Sequence, residues 1–176
     1  PQHLAMIDIQ RKNRGWTTGC IVTKPNCSIQ CYVPLLQSWW KFEPTQVIVS
    51  TYQAISGAGK TFATWPEMVD NVIPYIGEEE KKSETEPTKI WADIQADQFV
   101  LADTPTISAN CIRVPVSNGH LAAINVRYAK PVTQPQLIEA IHQFDNPLAQ
   151  LQLPSAPQPF LQYCEEDNRP QTKLDR

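Results

Sequence analysis

The sequence predicts an α+β domain whose mixed, mainly antiparallel sheet carries helices on one face. Three stretches rich in β-branched and aromatic residues indicate strands at 47–52, 107–116 and 121–128. Apolar residues recur at helical spacing in two further stretches, 27–42 and 135–144. A sheet covered by helices on one side leaves its other face to pair with a second copy of the chain.

The remaining segments are shorter or interrupted by proline. A strand-like run at 19–23 leads into the first helical pattern, where Pro34 predicts a kink or a late helix start. Residues 61–77 predict a long excursion with short helical pieces. The charged segment 78–91 predicts a helix that Pro87 interrupts.

Length and composition restrict the function classes. The chain has 176 residues, of which 41% are hydrophobic, and a formal net charge of −3, which suits one packed core. An acidic pI of about 5.6 offers no basic surface for nucleic acid. No apolar run approaches the ~18 residues that cross a membrane. Five cysteines without zinc-ligand spacing predict a reduced, cytoplasmic protein with no metal site.

Cys27 has the context of a reactive thiol. It lies where an apolar run stops at a turn and a helical pattern begins. A helix N-terminus presents unpaired N–H groups and the positive end of its dipole, which both favour the nucleophilic thiolate. Arg113 and His120 supply the guanidinium and imidazole that a cysteine acyl-transfer site needs. Taken alone, Arg113 is explained equally well by a structural salt bridge, and His120 by a loop position.

Two other motifs have simpler alternatives. Residues 54–61 nearly spell a phosphate-binding loop of an NTPase, but Ala54 replaces the first glycine and the following residues start a helix poorly. A small-residue loop that lets a cofactor approach the backbone fits better. The run at 78–82 is typical of a solvated helix face. On a helix, however, Glu79 and Lys82 would share a face and could hold a zwitterion.

Five stretches together resemble the aspartate-semialdehyde dehydrogenase family. They run in the family's order and span most of the chain: PNCS at 25–28, STYQAISGAG at 50–59, NVIPYIG at 71–77, KI at 89–90 and SANCIRVPV at 108–116. The resemblance implies a catalytic domain like that of glyceraldehyde-3-phosphate dehydrogenase. It also implies that residues 1–24 end a truncated Rossmann-type nucleotide-binding domain and that residues 25–176 form the catalytic and dimerisation domain.

The family is homodimeric and uses NADP to interconvert aspartate 4-semialdehyde plus phosphate with 4-aspartyl phosphate, a step towards lysine, threonine and methionine. The resemblance implies that Cys27 is the nucleophile, that His120 is the acid/base and that Gln53 orients the substrate. Hydride leaves the aldehyde carbon only once that carbon is tetrahedral, and addition of a thiolate achieves this. Phosphate would then open the resulting thioester.

The resemblance also implies the binding residues. Asn26 would help to place phosphate or the oxyanion, and Glu79 would bind the substrate ammonium. Lys82 would bind phosphate, and Arg113 would bind the substrate carboxylate. The nicotinamide side of NADP would lie near the loop of Ser56, Gly57, Ala58 and Gly59. An anionic substrate attacked by phosphate needs at least two cations, and the binding set supplies them.

Three alternatives stay open: a dimerisation module without catalysis, an enzyme like N-acetylglutamyl-phosphate reductase, and the NTPase. The reductase acts on an acylated amine, so a true ammonium contact at Glu79 argues against it. We expect the isolated chain to show little or no turnover, because most of the cofactor site is not in this sequence.

Overall fold

The computed structural model describes residues 2–147 and 149–175 and centres on a three-stranded mixed sheet. Strand β1 (Pro44–Gln53) lies in the middle. Two short strands, β2 (Asp93–Gln95) and β3 (Gln98–Val100), form a separate antiparallel hairpin. Strand β4 (Thr106–Arg113) pairs with β1 in parallel, and β5 (His120–Tyr128) pairs with β1 antiparallel. The α+β prediction is therefore confirmed.

Four helices accompany the sheet: α1 (Ala5–Arg14), α2 (Val33–Ser38), α3 (Glu79–Ile90) and α4 (Gln134–His142). Pro34 lies in the first turn of α2, where a missing N–H costs nothing, so the predicted late start is confirmed. The predicted excursion at 61–77 contains only a short 3₁₀ turn, Pro66–Met68. No helix in the described part of the chain is long and apolar enough to cross a membrane.

The core lies on one face of the sheet. Side chains of β1 alternate, so that Val47 and Val49 are buried while Ile48 between them is 49% exposed. Leu36 of α2 and its neighbours pack on the buried face, and the cluster consists of Ile29, Tyr32, Val33, Leu36, Val47, Val49, Trp91, Ile107 and Ala109. The prediction of helices on one face is confirmed.

The predicted strand at 19–23 is wrong. This segment is extended and exposed but has no strand partner among the described residues. Instead, the amide of Gln10 on α1 takes the place of a neighbouring strand. Its Oε1 accepts the Ile21 N–H at 2.6 Å and its Nε2 donates to the Ile21 carbonyl at 3.1 Å. A side chain thus satisfies the backbone groups that a sheet would otherwise pair.

The predicted interruption of the charged helix at Pro87 is also wrong, because α3 continues to Ile90. Proline cannot donate to the carbonyl four residues earlier, which belongs to Ser83. The hydroxyl of Tyr32 donates to that carbonyl at 2.9 Å. Since the orphaned acceptor gains a partner from outside the helix, the helix passes through the proline.

We expect Leu36→Ala to destabilise the chain by about 2–5 kcal/mol, because a fully buried leucine is replaced by a cavity. Urea unfolding followed by circular dichroism measures this loss. The control is Lys81→Ala at an exposed position of α3, which should change stability by less than about 0.5 kcal/mol. Equal effects of the two substitutions would contradict the placement of the core.

Candidate active site

Three of the predicted site residues lie in one row across the sheet. Gln53, the last residue of β1, is in register with Arg113 at the end of β4 and with His120 at the start of β5. Side chains in register point to the same face. Gln53 and Arg113 are 1% and 6% exposed, whereas His120 is partly buried. The row therefore forms the floor of a site at the edge of the core.

The main chain of Ala54 fixes two of these side chains. Its carbonyl accepts a hydrogen bond from Arg113 Nη1 at 2.7 Å, and its N–H donates to His120 Nδ1 at 3.1 Å. Because Nδ1 acts as an acceptor, the neutral imidazole carries its proton on Nε2. Burial, together with the charges of Arg113 and Lys24, lowers the pKa of His120, although the Gly119 backbone and Glu79 oppose this. The ring is therefore neutral at pH 7.

Arg113 is a buried cation without an ion-pair partner among the described residues. Burial lowers its pKa, while the charges of Glu79, Cys27 and Cys111 oppose that effect. An arginine remains charged under such conditions, and a charge removed from water needs an anion. Arg113 is therefore a candidate to bind a carboxylate or phosphate group.

Glu79 connects the segment around Cys27 to the row. Its carboxylate accepts hydrogen bonds from Asn26 Nδ2 at 3.0 and 3.1 Å, from Lys82 Nζ at 3.2 Å and from Gln53 Nε2 at 3.4 Å. Desolvation alone would raise the pKa of Glu79, but these donors and the charge of Lys82 lower it. The carboxylate is therefore ionised at neutral pH and can bind a cation.

Cys27 is exposed and lies in a turn rather than at the start of a long helix. A 3₁₀ turn, Ile29–Cys31, separates Cys27 from α2. The helix whose dipole was expected to act on the thiol is therefore only a short 3₁₀ turn. Asn26 Oδ1 accepts the Ser28 N–H at 2.9 Å and the Ser28 hydroxyl at 2.7 Å, which fixes this turn on either side of the thiol. Desolvation and the charge of Cys27 raise the pKa of Cys31 to about 11, so Cys31 stays protonated.

The glycine loop closes over the row. Residues 55–58 form a 3₁₀ turn and Gly59 ends it in the left-handed region, with φ of 68°. A Cβ on Gly57 would lie 2.9 Å from Arg113 Nη1 and 3.3 Å from His120 Cε1. No α-helix follows among described residues 59–78, so no helix N-terminus holds phosphate here, unlike in an NTPase loop.

The structure thus brings together most of the predicted site. Asn26, Gln53 and Lys82 meet at Glu79, while Arg113, His120 and Gly57 form the neighbouring floor. Ser56, Ala58 and Gly59 are exposed at the loop surface. The catalytic and binding roles of these residues remain predictions.

Sequence reasoning missed the residues that hold this arrangement. Ala54 acts through its main chain, so its side chain offers no signal. Glu86 accepts the Asn26 N–H at 2.7 Å and is partly buried. The available signal for Glu86 was its spacing of seven residues from Glu79, which places both carboxylates on one side of a helix.

Comparisons with known proteins show which family the chain resembles. Residues 33–176 match the family described as "Semialdehyde dehydrogenase, dimerisation domain". The aspartate-semialdehyde dehydrogenase of Archaeoglobus fulgidus is 40% identical over 176 residues, which cover 100% of this chain and 50% of that protein. Malonyl CoA reductase (NADP) of Metallosphaera sedula is 30% identical over 178 residues, with the same two coverages.

A solved structure shares the fold. The crystal structure of aspartate semialdehyde dehydrogenase with NADP from Candida albicans matches with a TM-score of 0.85 and 30% identity, covering 100% of this chain and 51% of that one. The chain spans about half the length of the curated relatives that it matches.

We expect His120 to titrate below its ordinary value of 6.5, because burial and nearby cations disfavour the imidazolium. The folded chain then binds fewer protons than the unfolded chain. The contribution of His120 to stability is complete above pH 6.5 and is lost as the pH falls through the lowered pKa. NMR titration of the ring protons measures the midpoint. Lys24→Gln should raise it and Lys41→Gln should not; a wild-type midpoint at or above 6.5 would contradict the prediction.

We expect Gly57→Ala to affect the surroundings of His120 and Gly59→Ala to affect stability. The backbone of Gly57 suits alanine, but the new methyl group displaces Arg113 or His120, so the ring signals of His120 shift while stability changes little. Gly59 faces open space but has a left-handed backbone, so alanine there costs about 1–2 kcal/mol without moving His120. NMR and thermal unfolding compare the pair. An unchanged His120 spectrum in Gly57→Ala would show that the loop does not close over the ring.

Proposed function

Because the chain belongs to the semialdehyde dehydrogenase family, we propose that it forms the catalytic and dimerisation part of an NADP-dependent, phosphorylating aspartate-semialdehyde dehydrogenase. The observation that carries this proposal is Arg113, a buried guanidinium without an ion-pair partner in the described chain. Gln53, in register with Arg113, donates a hydrogen bond to the ionised carboxylate of Glu79. A cation and an anion near one thiol suit a substrate that has both a carboxylate and an ammonium group.

Each charged group then has one task. Arg113 binds the substrate carboxylate and Glu79 binds the ammonium group. Lys82, whose side chain is 48% exposed, keeps Glu79 ionised through their ion pair and presents its remaining N–H groups to phosphate. The ammonium contact at Glu79 distinguishes this substrate from an N-acetylated one, which has no such charge.

Cys27 carries the covalent chemistry. Its thiolate adds to the aldehyde carbon, so that a C–S bond forms and the carbonyl oxygen becomes an alkoxide. Nε2–H of His120 donates a hydrogen bond to this oxygen, which supports the negative charge. Collapse of the alkoxide expels hydride and leaves a thioester on Cys27. Phosphate attacks that carbonyl, the C–S bond breaks, and the products are 4-aspartyl phosphate and the free thiolate.

NADP, when bound, accepts the hydride. The loop of Ser56, Gly57, Ala58 and Gly59 fits its nicotinamide end, because the loop is exposed and Gly57 has no Cβ over His120. A side chain at that position would instead meet Arg113 and His120. The loop residues would hold the nicotinamide end and would exclude water from it.

The uncovered face of the sheet supports a homodimer. Its side chains are uncharged except for that of Arg127. They belong to three strands: Gln46, Ile48, Ser50 and Tyr52 on β1, Thr106, Ser108, Asn110 and Ile112 on β4, and Leu121, Ala123, Asn125 and Arg127 on β5. A face that carries an isoleucine 49% exposed among small polar residues suits self-association. We place the dimer interface there.

The reaction would serve lysine, threonine and methionine biosynthesis. All five cysteines are free thiols, which suits a reducing compartment, and we propose a cytoplasmic location.

We expect Cys27→Ala to abolish NADPH formation from aspartate semialdehyde and phosphate, with a loss of about 10³-fold or more in kcat. The assay uses the longest natural chain that carries this sequence, since the 176 residues alone should turn over little. The matched control is Cys31→Ala, four residues away, which should keep most of the activity. Activity retained in Cys27→Ala would indicate a dimerisation module without catalysis.

A further inference from the structure

Residues 26–32, here called the nucleophile turn, are fastened to α3 at both ends. Asn26 is bound at the start of the turn, and Tyr32 is bound at its end. We propose that Tyr32 and Glu86 are positioning residues, which hold the Cys27 thiol at a fixed place relative to Glu79 and Lys82 on the same helix. The proposal rests on the proposed function, in which Cys27 is the nucleophile.

At the start of the turn, Glu86 binds the main chain beside the thiol. The Asn26 N–H donates to Glu86 Oε2 at 2.7 Å, which is short, as expected for a bond to a carboxylate. The side chain of Asn26 donates to Glu79, two helical turns earlier on α3. One residue is therefore held by two carboxylates of one helix, and Cys27 follows it directly.

At the end of the turn, Tyr32 uses an acceptor that Pro87 leaves free. Because Pro87 has no N–H, the Ser83 carbonyl lacks its helical donor, and the Tyr32 hydroxyl donates to it at 2.9 Å. Tyr32 is 1% exposed and Ser83 is fully buried, so water does not replace this bond. Burial raises the pKa of Tyr32, so the hydroxyl keeps its proton across the physiological range.

Between the two ends, the hydroxyls of Ser28 and Ser83 lie 3.4 Å apart. The nucleophile turn thus contacts α3 through Asn26, Ser28 and Tyr32. Cys27 itself remains exposed. An exposed side chain on a fixed backbone is what a nucleophile requires, since a shift of about 1 Å costs up to about 100-fold in rate.

The test compares four variants with the wild-type chain. Glu86→Ala removes the acceptor and Glu86→Gln keeps one, while both remove the same charge. Tyr32→Phe removes only a hydroxyl. Glu84→Ala is the matched control, because Glu84 also lies on α3 and accepts a main-chain N–H, that of Ala109 in β4 at 3.1 Å. The readouts are the iodoacetamide alkylation rate of Cys27 relative to exposed Cys20, and the split between kcat and KM, both measured in the longest natural chain that carries this sequence.

We expect Glu86→Ala and Tyr32→Phe to change the Cys27 alkylation rate and to lower kcat about tenfold or more, with KM changed less than about threefold. Glu86→Gln and Glu84→Ala should stay within about threefold of the wild type. Equal effects of Glu86→Ala and Glu86→Gln would overturn the positioning role of Glu86, because their shared effect is the lost charge. An equal effect of Glu84→Ala would do the same.

A fifth variant separates positioning by Tyr32 from its structural role. Tyr32→Phe leaves the buried Ser83 carbonyl without a donor and lowers the melting temperature. Adding Pro87→Ala returns the helical N–H to that carbonyl, so stability should recover while Cys27 reactivity and kcat stay altered. Recovery of both would overturn the proposal for Tyr32. If wild-type Cys27 reacts no faster than Cys20, the proposed function fails instead.

Discussion

The site depends on the burial of a guanidinium at the end of the sheet. Arg113 is 6% exposed and donates to the carbonyl of Ala54, which follows β1 directly. That bond fixes the direction of the side chain but leaves its charge uncompensated by any carboxylate at ion-pair distance in the described chain. Ala54 also donates its own N–H to His120. The position of the cation and the tautomer of the imidazole are therefore set by a single residue.

Helix α3 differs from the solvated helix that its charges suggest. Glu80 and Glu84 accept the N–H groups of Cys111 and Ala109 at 3.2 and 3.1 Å, so they satisfy donors on β4, an edge strand of the three-stranded sheet. A helix rich in glutamate serves here as a row of acceptors. The same helix carries the ion pair of Glu79 and Lys82. One helix thus protects the sheet edge and carries the ion pair of the candidate site.

Much of this fold could be predicted from the sequence because alternation and helical spacing are local signals. Strands β1, β4 and β5 and helix α4 follow from them. The strand at 19–23 was wrong because Gln10, more than ten residues away, took the partner's place. The break at Pro87 was wrong because a distant hydroxyl replaced the lost donor. Both errors concern how a backbone group finds its partner, which periodicity does not encode.

The candidate site was predictable as a set of residue types but not as a geometry. Glu79 is ionised, Arg113 and Lys82 are cationic, and burial keeps His120 neutral at pH 7. These four groups sum to one positive charge. Protonation of His120 at low pH would make the empty site more positive and would also disrupt the Ala54 bond at Nδ1. Acid therefore disturbs both the charge and the shape of the site through one nitrogen atom.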